Sequence, residues 1–139
     1  MWLLDANMDV HLASVLTGLG IDCDTAGNRG WKALSNGDLV RAAVDAGFGC
    51  LLTRDHLFAE SASRALKLFS RFAVVVVSIP QRRWPEYREQ LVTLWTERPI
   101  EPIPGCLIDW PYGQSERTVA VFPTRRAGYA AGVTGTVLS

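Results

Sequence analysis

The sequence has little of what marks a secreted, zinc-binding or membrane protein. Its three cysteines, Cys23, Cys50 and Cys106, form no CxxC pair and no Cys/His cluster, which argues against a zinc site and a disulfide framework. Its longest strongly apolar run, residues 72–77, is far shorter than the roughly 20 residues that a membrane helix needs. No basic segment followed by an apolar stretch and a cleavage site is present. We therefore expect a cytoplasmic protein with reduced cysteines and no membrane partner.

The chain also has no surplus of charge of either sign. Fourteen lysines and arginines balance fourteen aspartates and glutamates, and charged residues make up 20% of the 139 positions. A broad electrostatic attraction to nucleic acid is therefore not expected, and any nucleic-acid substrate must be held by local arginines. The apolar fraction of 48% argues against disorder of the whole chain and is sufficient for a packed core.

The first hundred residues alternate between short apolar runs and helical patterns. The runs predict strands at residues 2–4, 21–25, 50–53 and 72–78, and the spacing of apolar residues predicts helices over 8–19, 35–46, 58–69 and 85–98. Such alternation indicates an α/β fold in which helices cover both faces of a mostly parallel central sheet. We expect residues 1–98 to form this α/β domain.

Residues 99–139 show a different pattern and are expected to form a C-terminal extension. Residues 106–110 and 117–122 resemble two strands joined by a turn rich in proline, glycine and serine, which is typical of a β-hairpin. Residues 124–139 are rich in glycine, alanine and threonine and have no clear period. A tail packed on the domain and a partner-binding extension are both consistent with this composition.

Three aspartates fall where strands end or a helix starts on one edge of the predicted sheet. Asp5 follows the first strand, Asp55 follows the third, and Asp38 lies at the start of the second helix. Carboxylates gathered at one place repel each other, and a divalent cation relieves that repulsion. Mg²⁺ or Mn²⁺ suits oxygen ligands of this kind and assists phosphodiester hydrolysis. We predict these three aspartates as the metal-binding and catalytic residues.

Each aspartate also has a purely structural explanation. Asp5 and Asp55 can each cap the helix that follows, and Asp38 can complement the dipole of the second helix, whose start Ser35 is placed to cap. The convergence of all three favours a site. Four neighbouring polar residues are predicted to contact substrate: Asn7, Thr53, Arg54 and His56. His11 is predicted as a surface residue, and Trp84 as a core or partner-facing one.

Taken together, three blocks of the sequence resemble the small PIN-like domains of prokaryotes. They are Leu-Leu-Asp-x-Asn over residues 3–7, Ser-x-Gly-Asp-Leu over 35–39 and Leu-Leu-Thr-Arg-Asp-x-x-Phe over 51–58. The resemblance extends from about residue 2 to residue 84. It implies a PIN-like three-layer α/β/α fold and a ribonuclease that depends on Mg²⁺ or Mn²⁺. Asp5, Asp38 and Asp55 match the acidic positions of that family, and Asn7 matches the polar position that closes its first motif.

The resemblance also implies partners, and it has two departures. Such domains are often toxins of toxin–antitoxin pairs, so an RNA substrate and an antitoxin protein are expected, and a homodimer is left open. Ala6 replaces the usual glutamate of the first block, and Leu57 replaces a usual aspartate of the last. Fewer acids weaken a metal site, so the alternative is a degenerate PIN-like binding module without nuclease activity. A phosphoacceptor receiver-like domain is disfavoured, because no lysine follows the fourth strand.

Overall fold

The framework of the protein is a six-stranded sheet, seen in a computed structural model that describes residues 1–114. Its spatial order is β2-β1-β3-β4-β5-β6; the first five strands are parallel and β6 is antiparallel to β5. This confirms the expected α/β class with a mostly parallel sheet. The strands are β1 Trp2–Leu4, β2 Cys23–Thr25, β3 Cys50–Thr53, β4 Ala73–Val77, β5 Leu107–Trp110 and β6 Gly113–Gln114.

Helices cover both faces of the sheet, so the molecule has three layers. The helices are α1 Leu12–Gly18, α2 Asn36–Asp45, α3 His56–Ser63 and α4 Trp84–Glu97, and a 3-10 turn, Arg64–Lys67, continues α3. One apolar cluster joins α1 and α4 to one face of the sheet, and a second joins α2 and α3 to the other. Each helix therefore buries its apolar stripe against the strands, as a doubly wound arrangement requires.

The two central strands explain why the sequence folds this way. Every residue of β3 and β4 is buried, including the run of four valines that ends β4. Uninterrupted β-branched and aliphatic side chains suit a strand that is covered on both faces. Each valine or leucine withdrawn from water stabilises the fold by roughly 1.5–3 kcal/mol before the entropy of ordering the chain is counted.

Two helices start at other residues than the apolar spacing predicted. The first starts at Leu12 rather than at residue 8, because Asp5 carbonyl and Asp9 Oδ1 accept the N–H groups of Met8 and His11 and hold the preceding segment in turns. The third starts at His56, two residues early, because the Asp55 side chain caps it. Side-chain hydrogen bonds near a helix start thus decide its first residue.

The segment after residue 98 adds strands to the same sheet. β5 pairs in parallel with β4, and Ile100, Ile108 and Trp110 lie in the core cluster of the α1/α4 face. β6, directly after Pro111 and Tyr112, pairs antiparallel with β5 and forms a hairpin that the sequence did not predict. The predicted second strand over residues 117–122 and the tail over 124–139 lie outside the described residues.

Two cysteines are accounted for by local packing. Burial raises the pKa of the Cys50 thiol, which belongs to the core. The Cys23 thiol lies 3.4 Å from the Ala13 carbonyl oxygen, to which it donates a hydrogen bond. Both therefore act as small packing residues.

None of the helices within residues 1–114 combines the length and the apolar character needed to cross a bilayer.

Candidate functional site

The strand order creates a crevice at the carboxyl edge of the sheet. The chain passes from β1 outward to β2, then returns to β3 on the other side of β1 and continues outward to β4. In open parallel sheets, ligands bind at such a reversal, beyond the carboxyl ends of the strands. Asp5 follows β1, and Thr53 and Asp55 end or follow β3. The reversal point therefore carries two of the three predicted aspartates.

A single buried hydroxyl connects these two aspartates. The Thr53 Oγ1 donates to Asp5 Oδ2 at 2.9 Å and accepts the backbone N–H of Asp55 at 3.1 Å. Thr53 is fully buried, so its hydroxyl is reserved for these partners. Its described role is to position Asp5 and the Asp55 backbone, and the predicted contact of Thr53 with substrate stays a prediction.

The Asp5 carboxylate is held in an environment that disfavours its charge. Only 6% of Asp5 is exposed. Burial raises the pKa of its carboxyl group, hydrogen bonds from the Thr53 hydroxyl and the Ala6 N–H lower it, and the charge of Asp55 raises it again. A nearby like charge and low solvation are the conditions that a bound cation relieves.

Asp55 lies on the exposed side of the same crevice. Its Oδ1 accepts the N–H groups of Leu57 and Phe58 at 3.0 and 3.1 Å, so it caps α3 as the structural explanation required. Both bonds use one oxygen. Its Oδ2 accepts no hydrogen bond from any residue in 1–114, so capping and ligand binding are compatible at this residue.

Asn7 and Arg54 complete the rim beside the aspartate pair. The Asn7 Oδ1 lies 3.4 Å from the Thr53 hydroxyl, which donates instead to the closer Asp5 oxygen. Arg54 is half-buried and directly follows β3, so it lies at the same edge of the sheet as Asp55. Within residues 1–114, the hydrogen bonds to the Asp5 carboxylate come from Ala6 and Thr53 and not from Arg54.

Asp38 is not joined to the other two aspartates by any hydrogen bond within residues 1–114. It is exposed in the first turn of α2, and its backbone N–H donates to Ser35 Oγ at 3.4 Å. Its side chain is placed to complement the helix dipole. The participation of Asp38 in metal binding stays a prediction.

The donor set at the reversal point consists of hard oxygen atoms. Across residues 1–114, no three side chains of His, Cys, Asp or Glu are grouped closely enough to hold a metal ion between them. Mg²⁺ commonly takes only one or two carboxylates and retains several waters. Asp5, Asp55 and the Asn7 amide oxygen therefore fit such a cation as a two-carboxylate site.

A second polar cluster lies further along the same edge, and sequence reasoning missed two of its three members. The Ser78 hydroxyl donates to Asp109 Oδ1, and His56 Nε2 lies 3.2 Å from the same hydroxyl oxygen. Because the hydroxyl has one proton, Nε2 must carry the hydrogen and donate it to Ser78. Burial raises the pKa of Asp109, and the Ser78 hydrogen bond and the His56 charge lower it.

The sequence contains a pattern that points to this cluster, namely the apolar run of β5, but that run was predicted to belong to the C-terminal extension. Asp109 lies in β5, which the sequence analysis placed in an extension after residue 98. Once β5 is read as the fifth parallel strand, Asp109 falls at the same edge as Ser78, which directly follows β4. A rule that treats every apolar run as a candidate strand of one sheet finds both residues.

A groove elsewhere in the described residues has a different location and composition. It encloses about 310 Å³ near the amino ends of β3 and β4, and its lining is mostly apolar. Its lining residues are Val44, Phe48, Leu68, Phe69, Ser70, Arg71 and Phe72. Because all the predicted site residues lie at the carboxyl edge, this groove does not belong to the candidate site.

Comparison with known proteins adds no relative. No protein family, no curated protein and no solved structure matches the chain. The functional argument therefore depends on the residues and the geometry described above.

Proposed function

We propose that this protein is a divalent-metal-dependent endoribonuclease of the PIN-like type, which hydrolyses phosphodiester bonds in RNA. The observation that carries the proposal is the pairing of Asp5 and Asp55 across the Thr53 hydroxyl at the reversal point of the sheet. A buried carboxylate whose pKa is raised by burial and by a second aspartate is costly to the fold. Such a cost is typical of residues retained for binding or catalysis.

In this proposal, Asp5, Asp55 and the Asn7 oxygen hold Mg²⁺ or Mn²⁺. When bound, the cation supplies Lewis-acid chemistry, because it neutralises charge on a phosphodiester and makes water easier to deprotonate. Asp38 serves as the third acidic residue, on the substrate side. The Thr53 hydroxyl orients the Asp5 carboxylate, and its burial excludes water from the back of the pair.

The remaining predicted residues bind the RNA. Arg54 contacts a phosphate, since it forms no salt bridge with any carboxylate of residues 1–114. His56 donates through Nε2 to Ser78, so its Nδ1 is the ring nitrogen that is proposed to face the RNA. Asp109 accepts the Ser78 hydroxyl proton and thereby orients Ser78 to accept from Nε2.

The test is cleavage of a labelled single-stranded RNA in the presence of Mg²⁺ or Mn²⁺. Asp5→Asn, Asp38→Asn and Asp55→Asn should each lower the rate about 100-fold or more, because several kcal/mol of charge stabilisation depend on the carboxylates. Asp45→Asn is the matched control, since Asp45 is an exposed aspartate at the far end of α2. Full activity of Asp55→Asn, or no metal-dependent cleavage by the wild type, contradicts the proposal.

We further propose that the protein is cytoplasmic and is the toxin of a toxin–antitoxin pair. Three large apolar side chains on the carboxyl-edge connections support a protein partner there: Val10, Leu57 and Tyr112 are 76%, 78% and 75% exposed. Exposed apolar side chains around a polar site suit a surface that another protein covers. Co-purification with the product of the neighbouring open reading frame tests this, and that product should inhibit cleavage.

The alternative proposal is a degenerate PIN-like module that binds without cutting. Two observations favour it: Ala6 and Leu57 are exposed at positions where the family it resembles carries acids, and the described residues group fewer than three metal-binding side chains. Calorimetric titration with Mn²⁺ separates the two proposals. Saturable binding that Asp5→Asn abolishes favours the nuclease, and no saturable binding favours the module.

A phosphoacceptor domain is less well supported. The strand order of this protein is shared by flavodoxin-like folds in general, so the order alone does not distinguish a phosphoacceptor domain from other proteins of this type. The chain has two lysines, Lys32 in the loop before α2 and Lys67 in the 3-10 turn, and neither follows β4 or β5.

A further inference from the structure

A row of stacked rings lies beside the aspartate pair on the α1/α4 face. The His11 ring stacks on Trp84 with centroids 5.2 Å apart and planes 28° apart, and Trp84 stacks on Tyr87 at 6.1 Å and 29°. The His11 side chain is 63% exposed. One face of its ring contacts Trp84, so the opposite face is open to solvent.

The His11 ring is held in a fixed orientation. Its Nδ1 lies 2.7 Å from Asp9 Oδ1, which also accepts the His11 backbone N–H at 2.9 Å. A ring that is clamped at one edge and stacked on a tryptophan loses little freedom when another flat group stacks on it. The His11 ring is therefore preorganised for stacking.

An arginine without a salt bridge in residues 1–114 lies at the same edge of the sheet. Arg54 is half-buried and directly follows β3, one residue before Asp55. The ring row begins in the connection after β1 and continues into the start of α4, which follows β4, so its first members also lie at the carboxyl edge. Tyr87, the last ring of the row, is 3% exposed, and its hydroxyl has no hydrogen-bond partner in 1–114.

The connection from β4 to α4 adds further positive charge at the same place. Arg82 and Arg83 are exposed and immediately precede Trp84. Arg83 makes a 3.7 Å contact with Glu86, and Arg82 forms no salt bridge in the described part of the chain. The chain is neutral overall, so Arg54, Arg82 and Arg83 concentrate positive charge at the edge of the sheet where the exposed His11 ring lies.

We propose that His11, Trp84 and Arg54 form a nucleotide subsite for single-stranded RNA, in which a base stacks on the open face of His11 and its phosphate contacts Arg54. We call these three residues the stacking subsite. The inference rests on the proposed nuclease function, since the subsite holds the nucleotide next to the one that reaches Asp5 and Asp55. It identifies the substrate as single-stranded, because bases within a duplex cannot stack on a side chain.

The chemistry of the stacking subsite favours RNA over a protein partner. Proteins that bind single strands combine aromatic platforms for the bases with cations for the backbone. A protein interface is typically centred on buried apolar anchors, whereas the stacking subsite consists of an exposed imidazole, a half-buried indole and a guanidinium that has no salt bridge within residues 1–114. Stacking tolerates any base, so the subsite selects strandedness rather than sequence.

The experiment measures binding without cleavage. Fluorescence anisotropy gives the Kd of the Asp55→Asn protein for a labelled eight-nucleotide oligouridylate in the presence of a chelator. His11→Ala in this background should weaken binding about tenfold, the effect of losing one stacked base. His11→Phe retains a ring and should bind within about twofold of the parent. Val10→Ala is the matched control, because Val10 is the exposed neighbour of His11.

A second strand separates the base contact from the phosphate contact. An abasic oligonucleotide of equal length keeps the phosphates and lacks the bases, so the parent and His11→Ala should bind it equally. Arg54→Gln should weaken binding to both strands and reduce the salt dependence by about one counterion. Arg41→Gln, on the α2/α3 face beside Phe69, is the control for a lost arginine.

The outcomes distinguish this inference from the nuclease proposal. If the parent and His11→Ala bind the oligouridylate equally, the stacking subsite is overturned. It is also overturned if His11→Ala weakens binding to the abasic strand as much as it weakens binding to the oligouridylate. Failure of the parent protein to bind either strand overturns it as well, and binding of a protein partner that His11→Ala abolishes would assign the surface to that partner instead. If binding depends on His11 and the wild type still does not cleave RNA, the subsite stands and the nuclease proposal fails.

Discussion

At the scale of single residues, the site is a balance between one buried and one exposed carboxylate. Asp5 is 6% exposed and is bonded through both oxygens, whereas Asp55 uses only Oδ1 for its cap bonds. Sequence position alone predicted that both residues lie at strand ends, and both do. It did not distinguish their environments, since burial at a strand end depends on the helices packed around it.

The first prediction concerns the stability cost of Asp5. Its folded-state pKa lies above the ordinary value of 3.8, so the folded chain binds this proton more tightly than the unfolded chain. Stability therefore falls as pH rises from the unfolded pKa through the folded one. Asp5→Asn has no proton to release, so it should gain stability relative to the wild type as the pH rises from about 4 to 7.

The measurement is the free energy of unfolding in urea from pH 3 to pH 8. The gain in stability of Asp5→Asn relative to the wild type should shrink as the pH falls below about 4, because Asp5 of the wild type is then protonated in both the folded and the unfolded chain. Asp45→Asn serves as the exposed control. A stability difference between Asp5→Asn and the wild type that stays constant from pH 3 to pH 8 would contradict the raised pKa of Asp5.

The Asp109 cluster shows why residue types alone did not complete the site. A lone serine after a strand is common, and Ser78 has meaning only because His56 and Asp109 approach it from α3 and β5. Sequence separation between these residues exceeds 20 positions, so no local pattern links them. The topology of the sheet, rather than a motif, brings them together.

At the scale of the secondary-structure elements, Asp55 has two roles that substitution can separate. It caps α3 through Oδ1, and asparagine caps a helix about as well as aspartate does. Asp55→Asn should therefore lose activity with little loss of stability. Asp55→Ala should lose activity and about 1 kcal/mol of stability as well.

Thermal unfolding followed by circular dichroism checks this prediction. About 1 kcal/mol corresponds to a lower Tm by roughly 4 °C in a domain of this size. Ser35→Ala, which removes the cap of α2, is the matched control for stability and should lower the Tm to a similar extent. Equal stability of the Asn and Ala variants would contradict the cap assignment.

The elements themselves could largely be predicted from the sequence. The existence and type of β1 to β4 and α1 to α4 followed from apolar runs and helical spacing, because each element buries one coherent set of side chains. The exact starts of α1 and α3 did not follow, since hydrogen bonds from Asp9 and Asp55 to the backbone compete with helix formation there.

At the scale of the whole molecule, the strand that follows residue 98 belongs to the main sheet. β5 covers the edge of β4, and the Trp110 indole N–H donates to the Arg98 carbonyl at 2.7 Å, which ties the strand to the end of α4. The sequence did not reveal this connection, because the proline-rich segment before β5 resembles a boundary. A strand can be assigned to a parallel sheet only when its pairing partner is known, and that partner is distant in the sequence.

A truncated chain tests this arrangement. The fragment 1–98 lacks Ile100, Ile108 and Trp110 from the core and exposes the edge of β4. It should lose cooperative unfolding or aggregate, because several kcal/mol of apolar burial are removed and an apolar strand edge is left open. A soluble fragment that unfolds with the same midpoint as the full chain would show instead that residues 1–98 form an independent domain.

The whole-molecule view also connects the site with the stacking subsite. Both lie at the carboxyl edge, where the connections after β1, β3 and β4 meet, and Arg54 and Asp55 are adjacent in sequence. A strand of RNA that stacks on His11 would thus reach the aspartate pair through Arg54. The account requires that a divalent cation binds between Asp5 and Asp55.

The most direct measurement of that requirement is anomalous scattering from crystals soaked in Mn²⁺. The account predicts one peak at the carboxyl edge of β1 and β3, within about 2.3 Å of a carboxylate oxygen of Asp5 and of Asp55. The peak should be absent in Asp5→Asn crystals soaked in the same way. A wild-type crystal with no peak there, or with a peak that touches neither aspartate, would contradict the account.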